Sequence, residues 1–253
     1  MKKFLVFTIA AVFSLLSASA QFRAENPYKE LYDSETVAAM KSHVRELSAA
    51  DLEGRKAGSE GERRAAEYVS RTLSGYGVDV LTPEGGELFG IRKENGDTLT
   101  SRNVIGFVQG YDKTLRNQYI VVGARLDNLG TMTMTVDGKP VERIYYGANG
   151  NASGLAVMLE LARMVQTNSI LFRRSVLFVA FGASVQTYAG AWYFLNRSFK
   201  DAPSIDAMIN LDMLGTGYNG FYAYTSSNAD LNSLLRTQTG ELQPVLPELT
   251  SEE

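Results

Sequence analysis

Residues Tyr146–Gly154 read YGANGNASG and lie between a predicted strand, 141–146, and a predicted helix, 152–165. Glycine and asparagine favour a tight loop here, because both tolerate backbone conformations that other residues avoid. Asn151 or Ser153 can cap the helix by accepting a backbone N–H of its first turn. Gly150, in the middle of the loop, offers no side chain. The stretch therefore predicts a strand–loop–helix unit whose loop lacks a functional group at Gly150.

Strands and helices alternate on both sides of this loop. The predicted helices are 33–49, 59–73, 152–165, 186–196 and 229–239, and the predicted strands are 78–81, 104–108, 119–124, 131–136, 141–146, 175–181, 205–211 and 221–224. Strand 119–124 is nearly continuous in apolar residues, which predicts a central position. Asp137-Gly138 predicts a β-hairpin, and Ser59 with Glu62 forms a capping-box pattern. The alternation predicts a three-layer α/β/α fold with a mixed, mainly parallel central sheet.

Four segments end a predicted central strand or begin the following helix. They are GARLD (123–127), the loop at 147–154, FGASV (181–185) and INLDMLG (209–215). In parallel sheets, sites form at the carboxyl ends of the strands. The order and spacing of these segments, with LEGRKAGS at 52–59, resemble the secreted di-zinc aminopeptidases of metallopeptidase family twenty-eight. The resemblance covers roughly residues 47–224. It implies a zinc-aminopeptidase-like fold, of the phosphorylase/hydrolase-like kind, and a two-zinc site at these strand ends.

The residues at the implied site differ from those that the family uses. The former site positions are Arg125, Asp127, Gly150, Ser184, Val185 and Asp212. Arg125 replaces a His ligand and cannot coordinate a metal, because its guanidinium is always protonated. Gly150 replaces the bridging Asp. Ser184 and Val185 replace a Glu pair that serves as general base and ligand. Only Asp212, a ligand position, and Asp127, which orients the lost His, match the family.

Nothing nearby in the sequence compensates for these substitutions. No Asp or Glu occurs from Leu161 to Lys200, and the only histidine, His43, is predicted at the surface or boundary of the first helix. The family's last His belongs to a segment that would follow Glu253. Two carboxylates without imidazole or a bridging group do not build a tight two-zinc centre. We therefore expect no catalytic residue, no metal and no other cofactor.

Arg125 suggests what replaces the lost metal charge. We expect its guanidinium to pair with Asp212, and with Asp127 as a second partner, because unpaired carboxylates in a cleft are costly. The alternative is that Arg125 points to solvent and both carboxylates are hydrated. The helix that starts near Ala152 could also receive an anion at its N-terminus. An aromatic group could line a binding cleft, or pack: Tyr145, Tyr146, Tyr218, Phe221, Tyr222 and Tyr224.

Two functions remain open. The first is an exported peptidase-like domain, catalytically inactive, that acts as a binding or scaffold domain for a peptide, glycan or protein ligand in the former substrate cleft. The second is an active metallo-exopeptidase that hydrolyses N-terminal peptide bonds with a non-standard metal site. Other enzyme classes are disfavoured, because the sequence has no P-loop, no dinucleotide fingerprint, no G-x-S-x-G elbow and no cysteine.

The N-terminal residues and the composition indicate where the protein is located and which partners it binds. Lys2, Lys3, an apolar run from 4 to 16 and Ala18-Ser19-Ala20 predict a signal peptide over residues 1–20, with an uncleaved membrane anchor as the alternative. Its removal takes the net charge from −3 to −5, since it holds two lysines and no acidic residue. An acidic chain without a basic run is expected to bind neither nucleic acid nor membrane beyond export. Residues 21–253 are expected to form one domain, periplasmic or secreted, and a C-terminally truncated product is a third interpretation.

Overall fold

The computed structural model describes residues 34–200, 204–215, 230, 232–234 and 237. In chain order, the helices and strands are α1 (Glu35–Leu47), α2 (Glu60–Gly75), β1 (Asp79–Val80), β2 (Glu87–Arg92), β3 (Thr98–Val108), β4 (Tyr119–Arg125), β5 (Gly130–Val136), β6 (Lys139–Tyr145), α3 (Ser153–Thr167), β7 (Ser175–Phe181), α4 (Ser184–Thr187), α5 (Ala189–Tyr193) and β8 (Ile205–Leu211). A single π-helical turn spans Phe194–Ser198, and the stretch 148–152 is a loop in which Gly150 and Asn151 have non-helical φ and ψ values. Within these residues, no helix is long and apolar enough to cross a membrane. The predicted signal peptide, the predicted strand 221–224 and most of the predicted helix 229–239 lie outside the described residues.

Strand β4 lies inside the main sheet, as its apolar sequence predicts. The strand order is β1-β3-β7-β4-β8, with β2 also paired to β3. β4 runs parallel to both β7 and β8, whereas β3 runs antiparallel to β7, β1 and β2. The predicted mixed sheet is confirmed. The parallel pairs lie on the β8 side of the sheet. The pairs on the β1 side, including the pair that strand β2 forms, are antiparallel and were not predicted.

Strand β7 shows why helices cover both faces of the sheet. All of its residues are buried, and successive side chains of a strand point to opposite faces. Phe178 and Ala180 belong to an apolar cluster with residues of α1, α2 and α3. Val179 and Phe181 belong to a second cluster on the other side, which contains Phe194. The predicted three-layer α/β/α architecture is therefore confirmed.

Helices α1 and α2 both begin at serine caps, and the second of these is predicted by the capping-box pattern. Ser34 Oγ accepts the N–H of Val37 at 3.3 Å, and Ser59 Oγ accepts the N–H of Glu62 at 3.2 Å. The return bond of the capping box differs from the prediction. Glu62 Oε2 accepts the N–H of Gly58 at 2.8 Å, while the N–H of Ser59 is bound by a backbone carbonyl. The Glu62 side chain thus turns inward instead of remaining at the helix end.

The hairpin predicted from Asp137-Gly138 is present as β5 and β6. Asp137 and Gly138 have φ values of 51° and 75°, the left-handed conformation that a tight two-residue hairpin turn requires. The predicted strands 131–136 and 141–146 correspond closely to the observed ones.

The prediction of one continuous helix at 186–196 is wrong. Helix α4 ends at Thr187, and Tyr188, with φ 51°, separates it from α5. The chain must approach the sheet closely here, because a Cβ at Gly190 would lie 2.3 Å from the carbonyl oxygen of Gly182. The helical positions of Trp192 and Phe194 predict that both lie in the core; Phe194 is buried, but Trp192 is 58% exposed.

His43 is buried, which corrects the prediction of a surface or boundary position. Its Nδ1 lies 2.7 Å from the hydroxyl of Tyr68, and its Nε2 lies 2.9 Å from the hydroxyl of Tyr76. Tyr76 in turn donates to Glu160 of α3 at 3.2 Å. Burial lowers the pKa of His43, although Glu160 acts in the opposite direction. This polar group joins α1, α2 and α3 and takes the only histidine away from the strand ends.

Candidate functional site

The predicted site segments converge where the parallel strands end. β4 lies between β7 and β8, so the residues that follow these three strands meet at one edge of the sheet. Arg125 ends β4, Ser184 begins α4 directly after β7, and Asp212 follows β8. Gly150 lies in the loop before α3, and a Cβ at this glycine would be 3.6 Å from Arg125 Nη2. The structure thus brings the separate sequence segments to one place.

Arg125 and Asp212 form a bidentate ion pair. Arg125 Nε donates to Asp212 Oδ1 and Oδ2 at 3.1 and 3.0 Å, and Nη2 donates to Oδ1 at 2.8 Å. The Arg125 side chain is 16% exposed and that of Asp212 is 38% exposed. The predicted contact between these two residues is therefore present, and the solvent-facing alternative for Arg125 is not observed.

Asp127 is held by backbone rather than by Arg125. Its Oδ1 accepts the N–H of Ser184 at 2.7 Å, and its Oδ2 accepts the N–H of Val185 at 3.2 Å. The predicted hydrogen-bonded pairing of Arg125 with Asp127 is absent among the described contacts, because these amides occupy the carboxylate. Asp127 is fully buried, and burial raises the pKa of its carboxyl, with both amides and the Arg125 charge acting in the opposite direction.

Ser184 and Val185 contribute their backbone to the site. The Ser184 hydroxyl donates to the carbonyl oxygen of Phe181 at 3.1 Å and is buried. Val185 has no ionisable group. The two positions therefore present helix N–H groups to Asp127 and no general base.

The loop around Gly150 is fixed by Asn151. Its Oδ1 accepts the N–H of Gly154 at 3.2 Å and that of Met213 at 2.9 Å, and its Nδ2 donates to the carbonyl oxygen of Leu211 at 2.9 Å. Asn151 is thus the observed side-chain cap of α3, one of the two predicted. Because this side chain takes the Gly154 N–H, that amide is not free to receive an anion.

Ser153, the other predicted cap, ties the same loop to the end of β8. Its hydroxyl donates to the carbonyl oxygen of Asn149 at 2.8 Å and accepts the N–H of Leu214 at 3.0 Å. The loop before α3 and the segment after β8 are therefore joined by two side chains of the NASG sequence.

Arg55 is a buried residue of the site that the sequence interpretation missed. Its guanidinium donates to the carbonyl oxygens of Leu126 at 3.2 Å, Tyr146 at 3.0 Å and Gly147 at 3.0 Å, and also to that of Leu47. Burial lowers its pKa to about 10, which leaves it charged at neutral pH, and the nearby Asp127 acts to raise it. The available signal was its position between two glycines in the LEGRKAGS segment.

Glu62 is a second buried charge near the site that was not anticipated. It is fully buried, accepts from the hydroxyl of Ser101 and the N–H of Gly58, and lies 3.7 Å from Arg102 Nε. Burial raises the pKa of Glu62 to about 7, with the charge of Asp127 acting in the same direction. Its capping-box sequence gave no indication of this burial.

The di-zinc centre that the resemblance implies does not fit these residues. Asp212 is engaged by Arg125, and both oxygens of Asp127 accept backbone N–H groups. In the described part of the chain, no group of three or more His, Cys, Asp and Glu side chains lies close enough to hold a metal ion. Arg125 pairs with Asp212, and the nearby charges of Arg55 and Arg125 interact favourably with the carboxylate of Asp127.

A cavity of about 500 Å³ lies beside the pair. Its lining residues are Asn128, Leu129, Arg143, Ile144, Tyr145, Tyr146, Gly147, Ala148, Asn149 and Gly150. Tyr145 and Tyr146 of the predicted aromatic group therefore do line a cleft. The other four members, Tyr218, Phe221, Tyr222 and Tyr224, lie outside the described residues.

Comparison with known proteins identifies the family. The description Peptidase family M28 matches residues 103–251, which is more than half of the chain and contains all six former site positions. The chain belongs to peptidase family M28. The predicted resemblance is thereby confirmed at the level of the family.

One curated relative and two solved structures are similar to this chain. The chain is 27% identical over 210 residues to Aminopeptidase YwaD of Bacillus subtilis, a match that covers 74% of this chain and 43% of that protein. The chain therefore spans less than half the length of this relative. Among solved structures, the aminopeptidase from Aneurinibacillus sp. strain AM-1 has a TM-score of 0.63 at 18% identity, covering 85% of this chain and 80% of that one. Porphyromonas gingivalis glutaminyl cyclase has a TM-score of 0.65 at 18% identity, covering 84% and 75%. At these identities, the two structures show the shared fold alone.

Proposed function

We propose that this M28 domain is an exported, non-catalytic binding domain that holds a peptide or protein ligand in the cleft beside Arg125 and Asp212. One observation carries the proposal: a guanidinium stands at the implied metal-ligand position and is paired with the remaining ligand carboxylate. A guanidinium neutralises carboxylates, but it cannot act as a Lewis acid on a carbonyl or activate a bound water as zinc does.

The two positions at which the family resemblance implies a general base, 184 and 185, support the same proposal. Peptide hydrolysis requires a group that takes a proton from water within hydrogen-bonding reach of the substrate. Ser184 is bound to a carbonyl, and Val185 cannot take a proton. Glu62 has a pKa of about 7, suitable for a base, but its side chain is fully buried and bound by Ser101 and Gly58. It therefore cannot meet a substrate in the cleft.

The cavity next to Gly150 favours binding as the function. The loop that forms one wall is fixed by Asn151 and Arg55, and neither residue depends on a metal. Tyrosines and an arginine line the space, and these residue types are enriched where proteins bind ligands and partners. The signal-peptide pattern of residues 1–20 supports export to the periplasm or beyond.

The test is a zinc titration combined with an activity measurement. We expect calorimetry on the folded chain to detect no zinc binding at micromolar metal, and aminoacyl reporter substrates to release no product with or without zinc. Asp212→Asn is the matched control, because any residual activity that belongs to this site must disappear in that variant, whereas contaminating activity persists.

The competing function is an M28 exopeptidase with an unusual metal site. The observation in its favour is the aminopeptidase name of the Bacillus relative. Tight binding of one or two zinc ions, together with zinc-dependent release of N-terminal residues that Asp212→Asn abolishes, would replace the proposed binding function with this one.

A further inference from the structure

The β5–β6 hairpin stands apart from the packed core. Every residue from Met132 to Arg143 is exposed, and no hairpin residue belongs to the three buried apolar clusters of the described chain. A two-stranded hairpin is only marginally stable in water without a further packing partner. The sheet face that this hairpin presents is therefore a candidate contact surface.

One face of the hairpin is apolar and basic, and we call it the apolar hairpin face. In the strand register, Met132 is opposite Arg143, Met134 is opposite Val141, and Val136 is opposite Lys139. Opposite residues share a face, and side chains two apart along a strand share it as well. The four apolar side chains of this face are between 39% and 49% exposed. The other face carries Thr131, Thr133, Thr135, Pro140, Glu142 and Ile144.

The charges of the apolar hairpin face indicate what covers it. Lys139 and Arg143 have no carboxylate within 4.0 Å in the described part of the chain. Glu142, the carboxylate within strand β6, is on the opposite face. A second copy of the chain, docked symmetrically, would bring like charges together, which disfavours self-association. Charge complementarity therefore favours an acidic partner.

We propose that the apolar hairpin face binds an extended peptide segment with acidic side chains at positions i and i+4 and an apolar side chain at i+2. Lys139, Val141 and Arg143 alternate along β6 as cation, apolar and cation, so the two cations are about 13 Å apart, the span of four residues of an extended chain. Arg143 also lines the cavity beside Gly150. The peptide therefore continues from the hairpin into that cavity. The inference rests on the proposed function, because it gives the ligand class of the same cleft.

Binding of a designed peptide tests the proposal. The probe is a fluorescein-labelled peptide with the core Glu-Thr-Val-Thr-Glu flanked by Ser and Thr, titrated with the full chain and followed by anisotropy. We expect saturable binding that K139T/R143T weakens at least about 10-fold, since both charge contacts are lost. The matched control T133E/T135E changes the net charge by the same amount on the opposite face and is expected to change the affinity less than about 2-fold.

Charge reversal gives a second, independent readout. The variant K139E/R143E is expected to lose the acidic peptide and to bind a peptide with Lys in place of both Glu residues. Absence of binding of the acidic peptide at millimolar concentration, or binding that K139T/R143T leaves unchanged, overturns the proposal.

Two other occupants of the apolar hairpin face would each give a different experimental result, and either result overturns the proposal. A dimer in sedimentation velocity that M134E dissociates identifies a second copy. If Met132 and Met134 of the monomer oxidise as slowly as buried Met158, and not as fast as exposed Met213, another segment of this chain covers the apolar hairpin face. Zinc-dependent peptidase activity defeats the proposed function, whereas failed peptide binding by an inert, zinc-free chain defeats only the ligand assignment.

Discussion

Removing the ion pair between Arg125 and Asp212 tests the proposal that side chains replace a metal at this site. The pair is bidentate, with N–O distances between 2.8 and 3.1 Å. Exposed ion pairs contribute about 0.2–1 kcal/mol to stability, whereas hydrogen bonds to charged groups contribute about 1.5–3 kcal/mol. Arg125 is 16% exposed, but Asp212 is 38% exposed and keeps part of its hydration. We therefore expect a coupling free energy of about 1 kcal/mol between the two side chains.

The coupling is measured with a double-mutant cycle in urea. Arg125→Met keeps the length of the side chain, and Asp212→Asn keeps its shape, so the cycle isolates the charge interaction. Arg173 and Asp112 form a similar pair whose guanidinium is 60% exposed, and the same cycle there is expected to give a smaller coupling. High salt should weaken both.

A clear result would refute this reasoning. A coupling free energy below about 0.3 kcal/mol for Arg125 and Asp212 lies within the usual error of additivity. The guanidinium would then not substitute for a lost metal charge, and the site would have to be explained by hydration of Asp212 alone.

Three further predictions concern Glu62, the glycine loop and metal removal. Because burial raises the pKa of Glu62 from 4.5 to about 7, its contribution of about 3 kcal/mol is fully present below pH 4.5 and is lost as the pH rises through 7. Glu62→Gln is expected to flatten the pH dependence of urea unfolding between these values; an unchanged slope contradicts it. Gly147→Ala is expected to cost about 1–3 kcal/mol, since φ is +68° and the new Cβ would lie 2.5 Å from Asn128 Nδ2. Gly150→Ala should change stability by less than about 0.5 kcal/mol, because the atom nearest to the new Cβ, Arg125 Nη2, is 3.6 Å away; equal losses for the two variants contradict this difference. Excess EDTA is expected to leave Tm unchanged, whereas a fall in Tm would reveal a bound stabilising metal.

Local patterns in the sequence predicted most of the framework. The strands at 175–181 and 205–211 have the observed bounds. The first is an almost continuous apolar run, and the second is mostly apolar but is interrupted by Asp206 and Asn210. Ser59 caps its helix as expected, and Asp137-Gly138 forms the hairpin turn. Each of these signals acts within a few residues, so the sequence alone contains the necessary information.

Burial of charged residues was not predictable from the same patterns. The inward turn of Glu62 depends on Ser101, which is 39 residues away, and His43 is covered by Tyr68 and Tyr76, which are 25 and 33 residues away. Helical periodicity describes which face of a helix is apolar, but not which distant hydroxyl will meet a polar side chain. Arg55 was missed for the same reason, since its partners are carbonyl groups of distant loops.

The candidate site was predicted in outline because its segments keep their order. The contact of Arg125 with Asp212 follows from the parallel strands β4 and β8, whose carboxyl ends are adjacent. The amide contacts of Asp127 could not be predicted, because they depend on how the chain turns after β7. That turn uses a left-handed residue, Ala183, whose φ is 48°, and nothing in its side chain requires this conformation.

The architecture of the site explains how its chemistry can change without loss of the fold. Asp127 is stabilised by N–H groups of residues 184 and 185, so these contacts are independent of the side chains at both positions. Asn151 and Arg55 hold the loop before α3 through backbone carbonyls and amides. The structure of this loop therefore needs no side chain at Gly150. What remains is the charge of two carboxylates, with which the charges of Arg125 and Arg55 interact favourably. Backbone contacts thus hold the loop and Asp127 in place, and Arg125 pairs with Asp212, so the proposed binding function needs no metal ligand to keep these residues in position.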